Sequence, residues 1–540
     1  MTSNTTGSTN AGCGSFTLTN NTTGAQNAAL GNAALNGNTT GEYNTAIGHD
    51  SLKANTTANY NTAVGADALT ANTTGTLNVA VGANALVASS TGDSNTAVGT
   101  YALDANTTAD GNTAVGYASL TENTTGANNT ALGRDALQQN TTANNNTGVG
   151  YKSLEANTTG TGVTSIGAIA LTANTTGNYN TGLGYKALYS NTTGIENTAV
   201  GRAALEDNTT GDSNTAVGNH CLRNSTTASN NTAVGHDALS ACTTGTTNTA
   251  VGRAALTSLT DGIYCTAVGY QAMESNTASR NTAVGYQAMN SNTTGQYNVA
   301  IGTEAMSGAD IGSYNHGIGY RALRNVASGG GSSNAIGTRA LQDMTTGYGN
   351  NSLGYQAGDD ITTGTYNQCI GTDSGSVVTT GEANQLMGRL ANPDSNGGSY
   401  QVVIGHGLTG KGDNTGFIAG SSGIYNSGNS SSWTTTSDER IKKNIVDNNS
   451  GLDIVNQIQI RNFEYRTEEE IVDFDNPKAA VVEKEGVQLG VIAQELEKIL
   501  PECVKTQTTG VKTVDSDNLT WYLINAIKEL SAKVTALEAK

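Results

Sequence analysis

The chain has 540 residues, of which 13% are charged, 5% are aromatic and 68 are Gly, and its formal net charge is −18. These proportions exclude an ordinary globular enzyme along the whole length. With only 3 Pro and so little charge, the sequence also departs from a disordered chain and points to a repetitive, ordered fold.

The first ten residues are polar and lack both the positive region and the apolar core of a signal peptide. No stretch approaches the roughly 18 apolar residues of a membrane span, so a soluble protein without membrane insertion is expected, leaving a cell by lysis if it works outside one. No basic cluster is present to neutralise phosphates, which argues against nucleic acid as a partner. The six cysteines, Cys13, Cys221, Cys242, Cys265, Cys369 and Cys503, form no close pairs and are expected to be single buried thiols rather than a disulfide framework or a zinc site.

Residues 1–425 form one shaft in which a unit recurs from about residue 10, with the pattern Asn-Thr-Ala-Val-Gly-x-x-Ala-Leu-x-x-Asn-Thr-Thr-Gly-x-x. Its first glycine falls at 14, 31, 48 and so on to 420, and 21 of the 24 gaps are 17 residues, the others being 15, 16 and 18. A period of 17 is too short for a helical hairpin and its apolar positions too sparse and β-rich for a coiled coil, which leaves a β-solenoid. Asn-Thr-Ala-Val is the expected strand, ended by the first Gly, with the Asn-Thr-Thr-Gly group as a second turn whose Gly takes positive φ. The residue before the first glycine, as in Val64 and Val98, is expected to fill the interior, together with Leu69, Leu103 and Leu137. The small residue two before it, as in Ala63 and Ala97, is expected where another backbone comes close. Three chains around an axis explain that small slot and enlarge a thin core; a tight corner inside one chain is the other explanation.

Stacked Asn and Thr in the turns should form hydrogen-bonded ladders, which accounts for the many apparent glycosylation sequons. The residue after the glycine is Tyr at 117, 151, 185, 270, 286, 320 and 355, and is expected to face outward. Glu155, Glu206, Glu304 and Asp343 are scattered rather than paired as a glycosidase requires, and no cofactor or metal site is expected.

The unit resembles the head repeats of trimeric autotransporter adhesins, whose Asn-Ser-Val-Ala-Ile-Gly units build a trimeric left-handed β-roll. It is also similar to the Asn-Thr-Ala-Val-Gly-Tyr-Gln-Ala-Leu arrays of phage tail fibres, seen here as Asn281 to Gln287 followed by Ala288 and Met289. At about 4.8 Å per coil, 24 gaps make a rod on the order of 115 Å.

Residues 426–436 read as a Gly/Ser/Thr neck. Composition then changes: residues 437–540 carry 13 Lys plus Arg and 19 Asp plus Glu, against 13 and 25 over the preceding 436. Ile454, Val455, Ile458, Phe463 and Tyr465 suggest a small core, 467–486 an acidic loop, and Val487–Ile492 a strand leading into a helix Ala493–Leu500 stopped by Pro501. Leu523, Ile527, Leu530, Val534 and Leu537 are spaced as the seam of a coiled coil, which leaves the number of strands open and would serve for trimerisation. The expected fold class is therefore mainly β, a trimeric solenoid or β-roll followed by a small α+β domain.

Ser437-Asp438-Glu439-Arg440-Ile441-Lys442, Asn462-Phe463-Glu464-Tyr465, Gly490 to Glu495 with Pro501, and Ala526 to Leu530 together resemble the endosialidase-type intramolecular chaperone. The resemblance implies a domain, 437–540, that helps three chains fold into a β-stranded rod and then cuts itself off between Thr436 and Ser437. Ser437 is then the nucleophile and Lys442 the general base, with Lys443 the rival. Chemically, a lysine deprotonates a serine only when enclosure lowers its pKa, so cleavage should wait for folding. It further implies a homotrimeric phage tail fibre in the virion, made in the host cytoplasm and binding a host-surface glycan or protein receptor, with other tail or fibre proteins as partners. Repeats beginning near residue 10 leave no room for a particle anchor, so joining another fibre protein is expected. The competing readings are a non-viral glycan- or ice-binding solenoid with a permanent trimerisation cap, and a polysaccharide-degrading tailspike.

Overall fold

The computed structural model describes residues 3–418 and 439–540, apart from 309, 328, 474–476, 483, 508 and 509. The chain divides into two units, Met1–Tyr314 and Asn315–Lys540.

The first unit is a β-solenoid of 18 coils, each contributing one three-residue strand from Ala11–Cys13 to Val299–Ile301. Neighbouring strands pair parallel and in register with a step of 17 residues, as in Thr45↔Thr62, Ala46↔Ala63 and Ile47↔Val64. One step is 16, Thr266↔Thr282, and its missing residue falls in the turn Asn276–Asn281 rather than in a strand. The second unit opens with seven more such strands, His316–Ile318 to Gly416–Ile418, where the first step is 18 and the last is 14. The last step sets Ile418 in the slot before the glycine, one residue earlier than the expected Gly420 implies.

The two faces of the strand are the reverse of the expectation. Ala46, Ala63, Ala80 and Ala97 are fully buried inside the coil, whereas the residue before the glycine points out, leaving Leu30 51%, Val98 36% and Leu132 48% exposed. The reason is lumen width. Leu69, Leu103 and Leu137 fill the interior as expected, and where Gly148 takes the alanine slot, a Cβ would already lie 3.2 Å from Leu137 Cδ1 and from the Ser153 carbonyl. The small slot is thus a tight corner inside one chain, and no other chain is needed to explain it.

Turn chemistry is also only partly as expected. The strand-ending glycine does need its residue type twice over: Gly65 has φ +140°, and a Cβ on it would sit 2.4 Å from the Gly82 carbonyl oxygen. The Asn-Thr-Thr-Gly glycine needs only the second, since Gly75 lacks positive φ but a Cβ there would meet the Gly92 oxygen at 2.4 Å. Positive φ falls instead on non-glycine residues, as at Tyr60 (+59°), Asp67 (+60°) and Leu69 (+53°). Each is held by a hydrogen bond to a neighbouring coil, for example Leu69 N–H to the Ala85 carbonyl at 3.0 Å. Left-handed backbone costs about 1–2 kcal/mol per residue, so a lone coil is unstable and the array must fold cooperatively.

The ladders are present. Asn38, Asn55 and Asn72 each donate Nδ2 to the Oδ1 of the asparagine one coil before, at 2.7, 2.8 and 3.1 Å. A second buried row uses backbone groups: Asn61 N–H donates to Asn44 Oδ1 (3.0 Å) and Asn61 Nδ2 to the Gly75 carbonyl (2.8 Å). Thr56 Oγ1 donates to the Thr73 carbonyl at 3.1 Å in a third.

The first ladder breaks where serine replaces asparagine. Asn72 Oδ1 and Asn208 Oδ1 are left without a donor, and the buried hydroxyls of Ser89 and Ser225 are equally unpaired. Restoring Ser89→Asn is expected to raise stability by about 1 kcal/mol, read as a higher melting temperature, while Asn55→Ala, which breaks an intact run, lowers it.

Beyond the coils, the second unit holds short antiparallel pairs, Arg461–Phe463 with Gln488–Gly490 and Val504–Thr506 with Lys512–Val514. Their core is Leu496, Leu500 and Cys503, packed by Ile454, Ile458, Val491, Ile499, Val504, Val514, Leu519 and Tyr522. Ile454 and Ile458 are therefore core residues as expected, whereas Tyr465 is exposed and meets Phe463 edge-on at 5.4 Å. The acidic stretch forms short helical turns at Glu468–Glu470 and Pro477–Ala480, and the helix expected over 493–500 is α-helical only over Ala493–Leu496, with a 3-10 turn at Pro501–Cys503. A 23-residue helix, Ser516–Glu538, ends the chain. Among the described residues no helix is long and apolar enough to cross a membrane.

Candidate functional site

Thr436 and Ser437 lie outside the described residues, so the cleavage bond has no described geometry. Just after it, Glu439–Ile441 form one 3-10 turn, closed by the Lys442 N–H to the Glu439 carbonyl at 3.1 Å. Lys442 and Lys443 are both exposed in the single chain. The single chain therefore does not enclose Lys442 as a general base requires.

The segment downstream of Lys442 is tied to the C-terminal helix. Asn525 Nδ2 donates to the Asn448 carbonyl at 2.6 Å, and the Leu452 N–H donates to Glu529 Oε2 at 3.1 Å. Gly451 between them is pressed on the helix backbone, where a Cβ would sit 2.3 Å from the Ala526 nitrogen. Tyr522 OH adds a hydrogen bond to Glu502 Oε1 at 2.6 Å, which holds the Glu502 carboxyl below its ordinary pKa.

One side of the helix, with Leu519, Tyr522 and Ala526, packs on this domain. On an adjoining stripe of the same helix Leu523, Ile527, Leu530, Val534 and Leu537 are all exposed, from 44% at Val534 to 70% at Leu537. These five residues are the ones the heptad spacing in the sequence singles out; that spacing does not show the packed face, whose partners come from 448–452 and from the Leu496–Cys503 segment. Arg461 and Glu495 form a bidentate pair at 3.1 and 3.0 Å across the strand-to-helix junction, beside a pocket of about 130 Å³ lined by Ile458, Val491 and Ile499.

The solenoid surface has other polar groupings. Glu206 takes both Lys186 Nζ and Arg223 Nε at 2.9 Å, and these pairs hold its carboxyl below the ordinary range despite the opposing effect of burial. His49 Nδ1 lies 3.9 Å from carboxylate oxygens of Asp50 and Asp67, but Asp50 is already paired with Lys53 at 2.9 Å. Burial and the neighbouring Asp360 push Asp359 up to about 6. Five cysteines are buried, and burial pushes the Cys221 and Cys369 thiols up to about 12; Cys13 is exposed, against expectation, because it occupies the outward slot before Gly14.

The seven tyrosines after the glycine are exposed as expected. A second outward row, five residues before the glycine, is not legible in the sequence because its other occupants vary. In it Tyr43 stacks on Tyr60 (4.9 Å between centroids) and Tyr297 on Tyr314 (5.1 Å), with Arg280 set 6.0 and 5.5 Å from the rings of Tyr264 and Tyr297. Rings stacked along the axis cover one another's faces, leaving mainly edges and hydroxyls for a ligand.

No curated protein matches the chain. Residues 437–505, which follow the stacked coils in the sequence and precede the C-terminal helix, match the family model described as the chaperone of endosialidase and are similar to it.

Proposed function

We propose that the chain is the shaft of a phage tail fibre, assembled as a homotrimer on its C-terminal chaperone, which then cuts between Thr436 and Ser437 with Ser437 as nucleophile and Lys442 as general base. The observation that carries this reading is the joining, in one chain, of the chaperone-like segment at 437–505 to stacked coils that each hold several non-glycine residues at positive φ. A lone coil holds several residues at positive φ and is stabilised only by the next coil, so the first coils face a nucleation barrier. Three helices meeting through Leu523, Ile527, Leu530, Val534 and Leu537 bring three chains together at one end, from which coils can add one by one.

The coupling of assembly to cleavage rests on the same helix. Because 448–452 is bound to it, association of three helices repositions the segment that carries Lys442, and neighbouring chains supply the enclosure the single chain lacks. Such enclosure removes water from the ammonium and favours the neutral amine that a general base must be. Ser437 and its target bond are adjacent in one chain, so effective molarity replaces much of a substrate pocket. The mature rod, with its varied outer tyrosines and arginines, would bind a host-surface receptor and join other tail proteins through its ends.

The test is intact mass of the wild-type chain beside Ser437→Ala. Wild type should yield a fragment ending at Thr436 and a second beginning at Ser437, while the variant stays whole. Two full-length products under native folding conditions would leave the domain as a permanent cap and sink the cleavage. A second reading, an ice- or glycan-binding solenoid, is favoured by the flat Thr-x-Val rows on the strands; it needs that face open to solvent, so a trimer that buries it excludes ice binding there.

A further inference from the structure

In each unit the outward strand face carries no charged residue in its slots. In the first unit its two rows are mainly Thr (45, 62, 96, 113, with Val at 79 and 299) and Val, Ile or Leu (47, 64, 81, 98). Such a face on a chain of net charge −18 is where copies repel least. Only another copy of the same array repeats at the same spacing along it. At roughly 50–70 Å² of half-exposed apolar side chain per coil, fewer than 18 coils reach the ~800 Å² per partner of a stable interface.

In the second unit the threonine row changes character. The same slot holds His316, Asn334, Asn351, Gln368 and Gln385, while the neighbouring row stays apolar with Ile318, Ile336, Leu353, Ile370 and Met387. Asn334 Nδ2 donates to Asn351 Oδ1 at 2.6 Å, which leaves Asn334 Oδ1 to accept from His316 Nδ1–H, also at 2.6 Å. The amides of Gln368 and Gln385 have no side-chain partner among the described residues of their own chain. The row ends at Val402.

We propose that this face is where copies of the chain pack on one another, and that the row His316–Asn334–Asn351–Gln368–Gln385 locks their register. The inference rests on the trimer reading above and adds to it. Uniform Thr and Val rows pair almost equally well when one chain slides by a coil. The polar row does not: a slide of one coil sets the Gln385 amide of one chain at the level of Val402 of the next, and each further coil strands one more amide in a drying interface. A buried amide that fixes register at some expense in stability has the same logic in coiled coils. Cleavage removes the chaperone, and the row would then be the register mark that stays with the rod.

The experiment uses full chains in which Cys13→Ser removes the exposed thiol. One carries Val200→Cys, a second Val217→Cys one coil on, with a mass tag on the second; the two are co-expressed and treated with a short bifunctional thiol cross-linker. With the native row, like should join to like. With all five row residues changed to Thr, the residue that fills this slot in the first unit, unlike pairs should rise about fivefold or more, and an all-Asn row should restore the native result. An unchanged proportion of unlike pairs in a trimer of Thr-row chains overturns the register lock and leaves the trimer intact. A trimer that never cross-links overturns the assignment of the face. A single-chain native mass for wild type overturns the trimer reading itself.

Discussion

Gly201→Ala is expected to destabilise the solenoid by about 3–5 kcal/mol, more than any surface substitution, although it adds one methyl group. The glycine has φ +133°, which a side-chain-bearing residue adopts only under strain, and its added Cβ would lie 2.4 Å from the oxygen and 2.7 Å from the carbon of the Gly218 carbonyl. Both atoms are backbone of the next coil, so no rotamer change relieves the clash; the coils must part, and the in-register pairing of Thr198–Val200 with Thr215–Val217 is lost at that point. Local opening rather than global unfolding is the expected form of the damage, since each coil contacts only its neighbours. Limited proteolysis should therefore cut near residues 201–218 in the variant, and the melting temperature should fall. Arg202→Ala, on the exposed next residue, is the control and should change stability by no more than about 0.5 kcal/mol. Equal protease resistance in Gly201→Ala and wild type would show that the coils are not packed at this distance.

Ile527→Asp is expected to abolish trimer formation and, with it, cleavage. Ile527 is 59% exposed in the single chain and lies about 100° round the helix from the buried Ala526, so the substitution leaves the packing of the domain on its helix intact. In a three-helix seam the same position becomes a buried carboxylate beside two others, with desolvation and like-charge repulsion both opposing association. Native mass should show single chains, and the yield of the fragment ending at Thr436 should drop about tenfold or more, because Lys442 then stays exposed. The separate readouts matter: a chain that cleaves without trimerising removes the link between assembly and chemistry, and one that trimerises normally moves the seam elsewhere.

How much of this was legible in the sequence depends on which interactions a residue makes with its own repeat and which with another element. Period, strand position, the interior leucine and the asparagine ladders were legible, because a 17-residue spacing superposes identical residues and leaves each slot one environment. The sidedness of the strand was not. Val before the glycine looks like core and Ala before it like a concession to a neighbour, yet the leucine of the preceding turn already fills the lumen, and only the small residue fits opposite it. The exposed state of Cys13 follows from the same reversal.

In the C-terminal domain, the heptad of Leu523, Ile527, Leu530, Val534 and Leu537 could be counted out, since the helix sets that spacing by itself. The clasp of 448–452 on Asn525, Ala526 and Glu529 could not, because contacts 75 or so residues apart leave no period in the sequence. Likewise, the residues at 316, 334, 351, 368 and 385 read as scattered variation until the strands align them in one row. The sequence by itself determined a solenoid of 17-residue coils and the heptad spacing of the last helix, since repetition and the local rules of turns and helices need no distant partner. Tertiary structure alone decided which strand face is left open and which residues lie along it, because that depends on how side chains from different turns share one narrow lumen.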